Sequence, residues 1–122
     1  MWWRDQPVLC VTGDTDWASD DCIEDLLTLL GQFNVEPTIF STHQSAVLDD
    51  FARRGKVELG LHPNFLAGSS HGASVDEVLD TLLGWFPAAK SFRSHLYVES
   101  TPILLAMRQR GMLYDSNLCL YL

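Results

Sequence analysis

A short apolar run followed by an amphipathic stretch of helical period recurs four times along this chain, and no other feature limits its fold so strongly. Residues 7–12 are apolar and β-branched and stop at Gly13-Asp14, as a buried strand entering a loop does. Ser19 or Asp20 can cap the helix that follows, in which Ile23, Leu26, Leu27, Leu29 and Leu30 form one stripe ending near Gly31. Residues 37–42 repeat the strand signal. Ser45 can then cap an amphipathic stretch with Ala46, Val47, Leu48, Phe51 and Ala52, closed by Arg53, Arg54 and Gly55. Residues 57–61 make a third strand leading into His62-Pro63, and a Gly/Ser-rich loop separates it from a helix through Val75, Val78, Leu79, Leu82 and Leu83, capped by Ser74. Residues 91–96 form a weaker fourth strand before a helix over about residues 101–110, with Pro102 in its first turn and Gly111 at its end. An apolar run at 118–122 opens a fifth strand.

Strands joined through helices pair in parallel by right-handed crossovers, so the expected class is α/β, a mostly parallel sheet with helices outside it. At 122 residues one domain is the default, and 47% hydrophobic with 20% charged residues is the balance of a packed chain rather than a disordered one. Sixteen acidic residues against eight basic ones give a formal charge of -8, which repels phosphate backbones, so nucleic acid is not an expected partner. The same charge is compatible with a divalent cation or a neutral sugar, and equally with a solvated acidic surface. Cys10, Cys22 and Cys119 have no CxxC spacing and sit among apolar neighbours as small buried side chains do, which fits a reducing, cytoplasmic compartment. The N-terminus lacks the pattern of a signal peptide, and no apolar run approaches the roughly 18 residues that span a bilayer, so no membrane partner is expected.

Ligands in parallel α/β folds gather at the carboxyl ends of the strands. There lie Asp14 and Asp16 after the first strand, His62 after the third, and Arg93 and His95 at the end of the fourth, with Asp115 near the start of the fifth. Gly13-Asp14-Thr15-Asp16 reads as a turn and helix cap, or as two carboxylates that divide labour, one binding a cation and the other staying free as a base. His43 reads as a hydrogen-bonded core residue. His62 and His71 flank a loop of small and polar residues able to bring both imidazoles together. With Asp16 they would make a zinc-like ligand set with open positions for water and substrate. Trp17, Phe65 and Tyr97 stand beside these residues and could stack on a sugar ring or cap the core.

Residues 11–17, Val-Thr-Gly-Asp-Thr-Asp-Trp, resemble the first motif of the NodB-homology polysaccharide deacetylases, carbohydrate esterase family 4, and especially its divergent members from surface-polysaccharide loci. Residues 59–65 resemble the second motif and residues 92–97 the arginine-bearing third, so the resemblance covers nearly the whole chain. It implies a partial or irregular (β/α) barrel and a metal-dependent hydrolase that removes an N- or O-acetyl group from a carbohydrate. Asp14 would be the base, Asp16, His62 and His71 the ligands of a divalent ion such as zinc, and Arg93 the group orienting Asp14. The departures are specific. Thr15 splits the usual adjacent aspartates, Leu66 stands where the second metal histidine would fall, and His95 replaces a proline. The later motif that supplies the general acid is not found, which leaves His95 as the uncommitted histidine for that role. The expected domain is therefore residues 1–122 as one NodB-like unit lacking the C-terminal part of the barrel. Its exposed sheet edge would favour a homo-oligomer. The rival readings are a carbohydrate-binding or assembly protein that has lost turnover, an amidohydrolase-type enzyme, and a non-enzymatic α/β interaction module.

Overall fold

The computed structural model describes residues 4–118. Five parallel strands form one sheet in the order β1-β2-β3-β4-β5: Thr12–Asp14, Thr38–Ser41, Glu58–Leu61, Ser91–Phe92 and Tyr114–Asp115. Helices α1 (Asp20–Gln32), α2 (Ala46–Arg53), α3 (Val75–Trp85) and α4 (Thr101–Gln109) connect them in turn. Ser19, Ser45 and Ser74 cap the first three helices, each accepting a backbone N–H three residues on, and Pro102 sits in the first turn of the fourth.

Side-chain alternation along the strands divides the sheet into two faces. Ile39, Leu59, Leu61 and Phe92 point to the helices. There they join two apolar clusters, one under α1 and α2 around Ile23, Leu27 and Leu48, the other under α3 and α4 around Val78, Leu79, Leu82 and Met107. Leu59 packs against both and links them. Thr12, Thr38, Phe40, Glu58, Ser91 and Ser116 line the opposite face around an open cavity of about 470 Å³. Gly60 also belongs to that face. A Cβ there would lie 2.6 Å from the Phe40 ring and 2.8 Å from Ser91 Oγ, so only glycine lets Phe40 lie across the sheet.

β2 and β3 fall within one residue of their expected limits, and the other three strands differ by more. β1 begins at Thr12 rather than residue 7, because pairing with β2 starts there. Val8 and Leu9 upstream are exposed, Leu9 by 87%, at an edge where, among the described residues, β1 pairs with β2 alone. β4 stops after Phe92, since the chain turns through a short 3-10 segment, His95–Tyr97, with Leu96 and Tyr97 in the left-handed region at φ 55° and 56°. β5 is Tyr114–Asp115, brought back early by Gly111 at φ 78°, and residues 119–122 of the expected fifth strand lie outside the described residues. The stripe of α1 is narrower than expected, with Ile23 and Leu27 buried but Leu26 and Leu29 exposed. Cys10 and Cys22 are exposed free thiols rather than buried ones, and Cys119 lies outside the described residues. Among the described residues no helix is long and apolar enough to cross a membrane.

Candidate functional site

The loop after β1 is pinned to the end of β2 by Thr15 and Thr42. Thr42 N–H donates to Thr15 Oγ1 at 3.0 Å, the two hydroxyls meet at 3.0 Å, and Trp17 N–H donates to Thr42 Oγ1 at 2.9 Å. Thr15, the residue that splits the aspartates, is thus a buried anchor. The anchored chain turns with Asp16 and Trp17 at φ 43° and 61°, a conformation costly for residues with side chains and sustained here by these bonds. Asp14 remains at the strand end and Asp16 stands above it, its side chain 58% exposed.

Asp16 meets two imidazoles. Its Oδ1 lies 3.2 Å from His62 Nε2 and 3.0 Å from His95 Nδ1, and the donor atoms of these three residues all lie within 4.8 Å of one another. His62 Nδ1 is 2.6 Å from the carbonyl of Arg93. A carbonyl only accepts, so Nδ1 carries the proton, and in a neutral ring Nε2 presents a lone pair to the carboxylate. Two acceptors at that distance repel unless a proton or a cation lies between them. The donor chemistry fits a divalent cation: two imidazole nitrogens and a carboxylate oxygen, with the inner nitrogen of the buried His62 bonded to a backbone carbonyl as ligating histidines usually are.

Arg93 holds the other carboxylate. Its NH1 donates to Asp14 Oδ1 at 2.9 Å, NH2 to Thr12 Oγ1 at 2.8 Å and to Ser116 Oγ at 2.9 Å, and Nε to the Ser116 carbonyl at 3.3 Å. The guanidinium carbon sits 4.6 Å above the centre of the Phe40 ring, and the side chain is only 14% exposed. Gly60 therefore reaches the site indirectly: it admits Phe40, Phe40 supports Arg93, and Arg93 fixes Asp14. Asp14 Oδ1 lies 3.9 Å from His62 Nδ1, so base candidate and metal cluster are adjacent.

The sequence profile of the WbmS-like polysaccharide deacetylases matches residues 11–121. The chain belongs to that family. A solved structure from Bordetella bronchiseptica, WbmS, named as a candidate polysaccharide deacetylase involved in O-antigen biosynthesis, is 36% identical, with a TM-score of 0.80 over 92% of this chain and 49% of that one. A second, the pseudoenzyme BA3943 of the CE4 family from Bacillus anthracis, is 15% identical, with a TM-score of 0.65 over 91% of this chain and 43% of that one, and bears on the fold alone. The chain thus spans about half the length of these solved relatives. No curated protein matches it. The five strands with their outer helices are the half-barrel of the NodB-type fold.

Within this WbmS-like site the expected ligand His71 is not part of the cluster. It is buried, accepts the Asn64 N–H on Nδ1 at 3.1 Å, and donates from Nε2 to the Thr42 carbonyl at 2.7 Å. Both nitrogens are committed and the ring is neutral. Burial pushes its pKa down, the Thr42 bond pulls it up, and nearby His62 and His95 lower it further. His95 stands where His71 was expected. The His62 and His95 rings meet edge to face, 5.5 Å apart. His43 hydrogen-bonds through Nδ1 to Thr42 Oγ1. Phe65 packs on the core, whereas Trp17 and Tyr97 are exposed. Sequence reasoning missed Thr12, Phe40, Thr42 and Ser116. Thr12 alone carried a signal, lying two residues before Asp14 on the same face of its strand.

Proposed function

We propose that this chain carries the metal-binding and base-bearing half of a hydrolase that removes an N- or O-acetyl group from a carbohydrate, with Asp16, His62 and His95 as ligands of a divalent ion such as zinc. The observation that carries this reading is the convergence of Asp16, His62 and His95 from three loops, beside an Asp14 held by Arg93. The 36% identity to the Bordetella protein supports a bacterial surface polysaccharide as the substrate setting. The free thiols of Cys10 and Cys22 fit a reducing, cytoplasmic compartment.

A divalent ion bound there would lower the pKa of a bound water and polarise the acetyl carbonyl. The chain's own residues do the rest. The bond from His62 Nδ1 to the Arg93 carbonyl favours the tautomer of the neutral ring whose outer nitrogen can act as a ligand. Arg93 binds Asp14 through Oδ1, which orients the carboxylate and leaves Oδ2 to take the proton from the attacking water. The carboxylic acid so formed can return that proton to the departing amine or alcohol as its bond to the acetyl carbon breaks. His95, engaged with Asp16, serves as a ligand in this reading rather than as the acid.

Two substitutions separate these roles. Asp16→Asn should weaken zinc binding at least tenfold by calorimetry on chelator-stripped protein. Asp14→Asn should keep zinc affinity while the release of acetate from an N-acetylglucosamine oligomer falls about a hundredfold. Unchanged zinc affinity in Asp16→Asn would remove the ligand set, and unchanged acetate release in Asp14→Asn would remove the base. Zinc binding by the unaltered chain with no acetate release would favour a non-catalytic carbohydrate-binding role on the same fold.

A further inference from the structure

We infer that Trp17 is the surface on which a sugar ring of the substrate stacks, an assignment that rests on the carbohydrate reading above and names the residue that would recognise the ring. A large aromatic side chain ordinarily serves the core, and Trp17 does not. It belongs to neither apolar cluster, although its neighbour Ala18 packs against one of them and Trp85 against the other. Among the described residues its ring neighbours are instead two imidazoles, His71 at 5.8 Å and 32°, and the cluster residue His95 at 5.3 Å and 77°. The residue remains 43% exposed.

Holding it there is costly. Trp17 sits in the left-handed region at φ 61°, immediately after Asp16 at φ 43°, and is kept there by its N–H bond to Thr42 Oγ1. His71, fixed by Asn64 and the Thr42 carbonyl, buttresses the indole from one side. The outcome is a rigid, half-open apolar plate within ring contact of a metal-cluster residue, at the rim of an otherwise polar site. Such a plate suits the apolar C–H face of a pyranose, whose equatorial hydroxyls would be left for the polar groups around it. A rigid aromatic loses little side-chain entropy on binding, so the contact adds affinity directly.

The test uses the whole chain and tri-N-acetylchitotriose as probe, with affinity read by calorimetry and by indole emission. Trp17→Ala should weaken the trisaccharide roughly tenfold and Trp17→Phe by less than about threefold. Zinc affinity should stay within about twofold in both variants. The sugar-induced emission change of the unaltered chain should be largely lost in Trp17→Phe, which keeps Trp2, Trp3 and Trp85. Equal trisaccharide affinity in Trp17→Ala and the unaltered chain would overturn the assignment, as would no measurable binding by the unaltered chain. Loss of the hydrolase reading looks different: zinc would fail to bind while the Trp17-dependent sugar affinity persisted.

Discussion

Arg93→Lys keeps the positive charge and the aliphatic stem but discards the planar fork, and the structure allows its cost to be worked out. The guanidinium now serves Asp14, Thr12 and Ser116 at once while lying flat on Phe40. A lysine ammonium can keep the link to Asp14 but cannot also span Thr12 and Ser116 or stack on the ring. Each lost bond from a charged donor is worth about 1.5 kcal/mol at the low end, and the stacking about 0.5 to 1 kcal/mol. Water entering from the open side returns part of this, leaving a net loss of about 3 kcal/mol. Unfolding entropy of about 2.1 cal/mol/K per residue over 122 residues converts each kcal/mol into about 4 °C, so the melting midpoint should fall by about 12 °C. The assay is a circular-dichroism melt of metal-free protein. Zinc affinity should remain within about threefold, because His62 bonds the backbone of Arg93 and not its side chain. A midpoint shift under about 3 °C would refute the reasoning, since the fork would then contribute no more than a point charge.

His71 supplies a pH prediction. Its folded pKa lies below the ordinary 6.5, so between that value and the folded one the unfolded chain binds a proton that the native chain does not. Stability contributed by the neutral ring is therefore present above about pH 6.5 and lost as pH falls, at up to about 1.4 kcal/mol per pH unit from this group. Urea titrations of metal-free protein should show that slope in the unaltered chain and a reduced slope in His71→Gln; identical slopes would show that His71 does not set it. The two histidines should also separate in metal binding. His95→Ala should weaken zinc roughly tenfold or more, whereas His71→Gln should leave it within about threefold, and the reverse order would restore His71 to the ligand set.

The fold was legible because alternation and capping are local. Ser19, Ser45 and Ser74 were readable as caps, and the apolar stripes of α2 and α3 followed from spacing alone. Strand limits were less legible, because they depend on where a neighbour begins to pair. The apolar run ahead of Thr12 has the composition of a strand, yet β2 offers it no partner until Thr38 faces Thr12. The end of β4 was hidden for another reason: Leu96 is an ordinary strand residue by composition, and nothing local announces its left-handed turn. The grip on Arg93 draws on Thr12 and Ser116, each brought to it by sheet pairing rather than by sequence proximity.

The exchange of His71 for His95 shows which kind of sequence argument reaches a site on a parallel sheet. His62 and His71 look like partners because only a loop separates them, but a loop's path is set by what it must bury, and this one carries His71 under Trp17 and against Trp85. Strand parity and register give the other answer. Leu61 pairs with Phe92 on the helix-facing side, so the next residues, His62 and Arg93, share the opposite side. His95 follows Arg93 by two, and its N–H still bonds the Pro63 carbonyl, which keeps it beside His62 although the strand has ended. Thr12, Asp14 and Asp16 repeat that two-residue interval on the edge strand and its loop, with Asp14 paired to Phe40. The alternation thus sets Thr12 and Asp14 around the Arg93 fork, while the Thr15–Thr42 anchor and the Pro63 bond bring Asp16 and His95 to His62 after their strands have ended. For a chain of this class, candidate ligands are better ranked by face and register than by distance along the sequence.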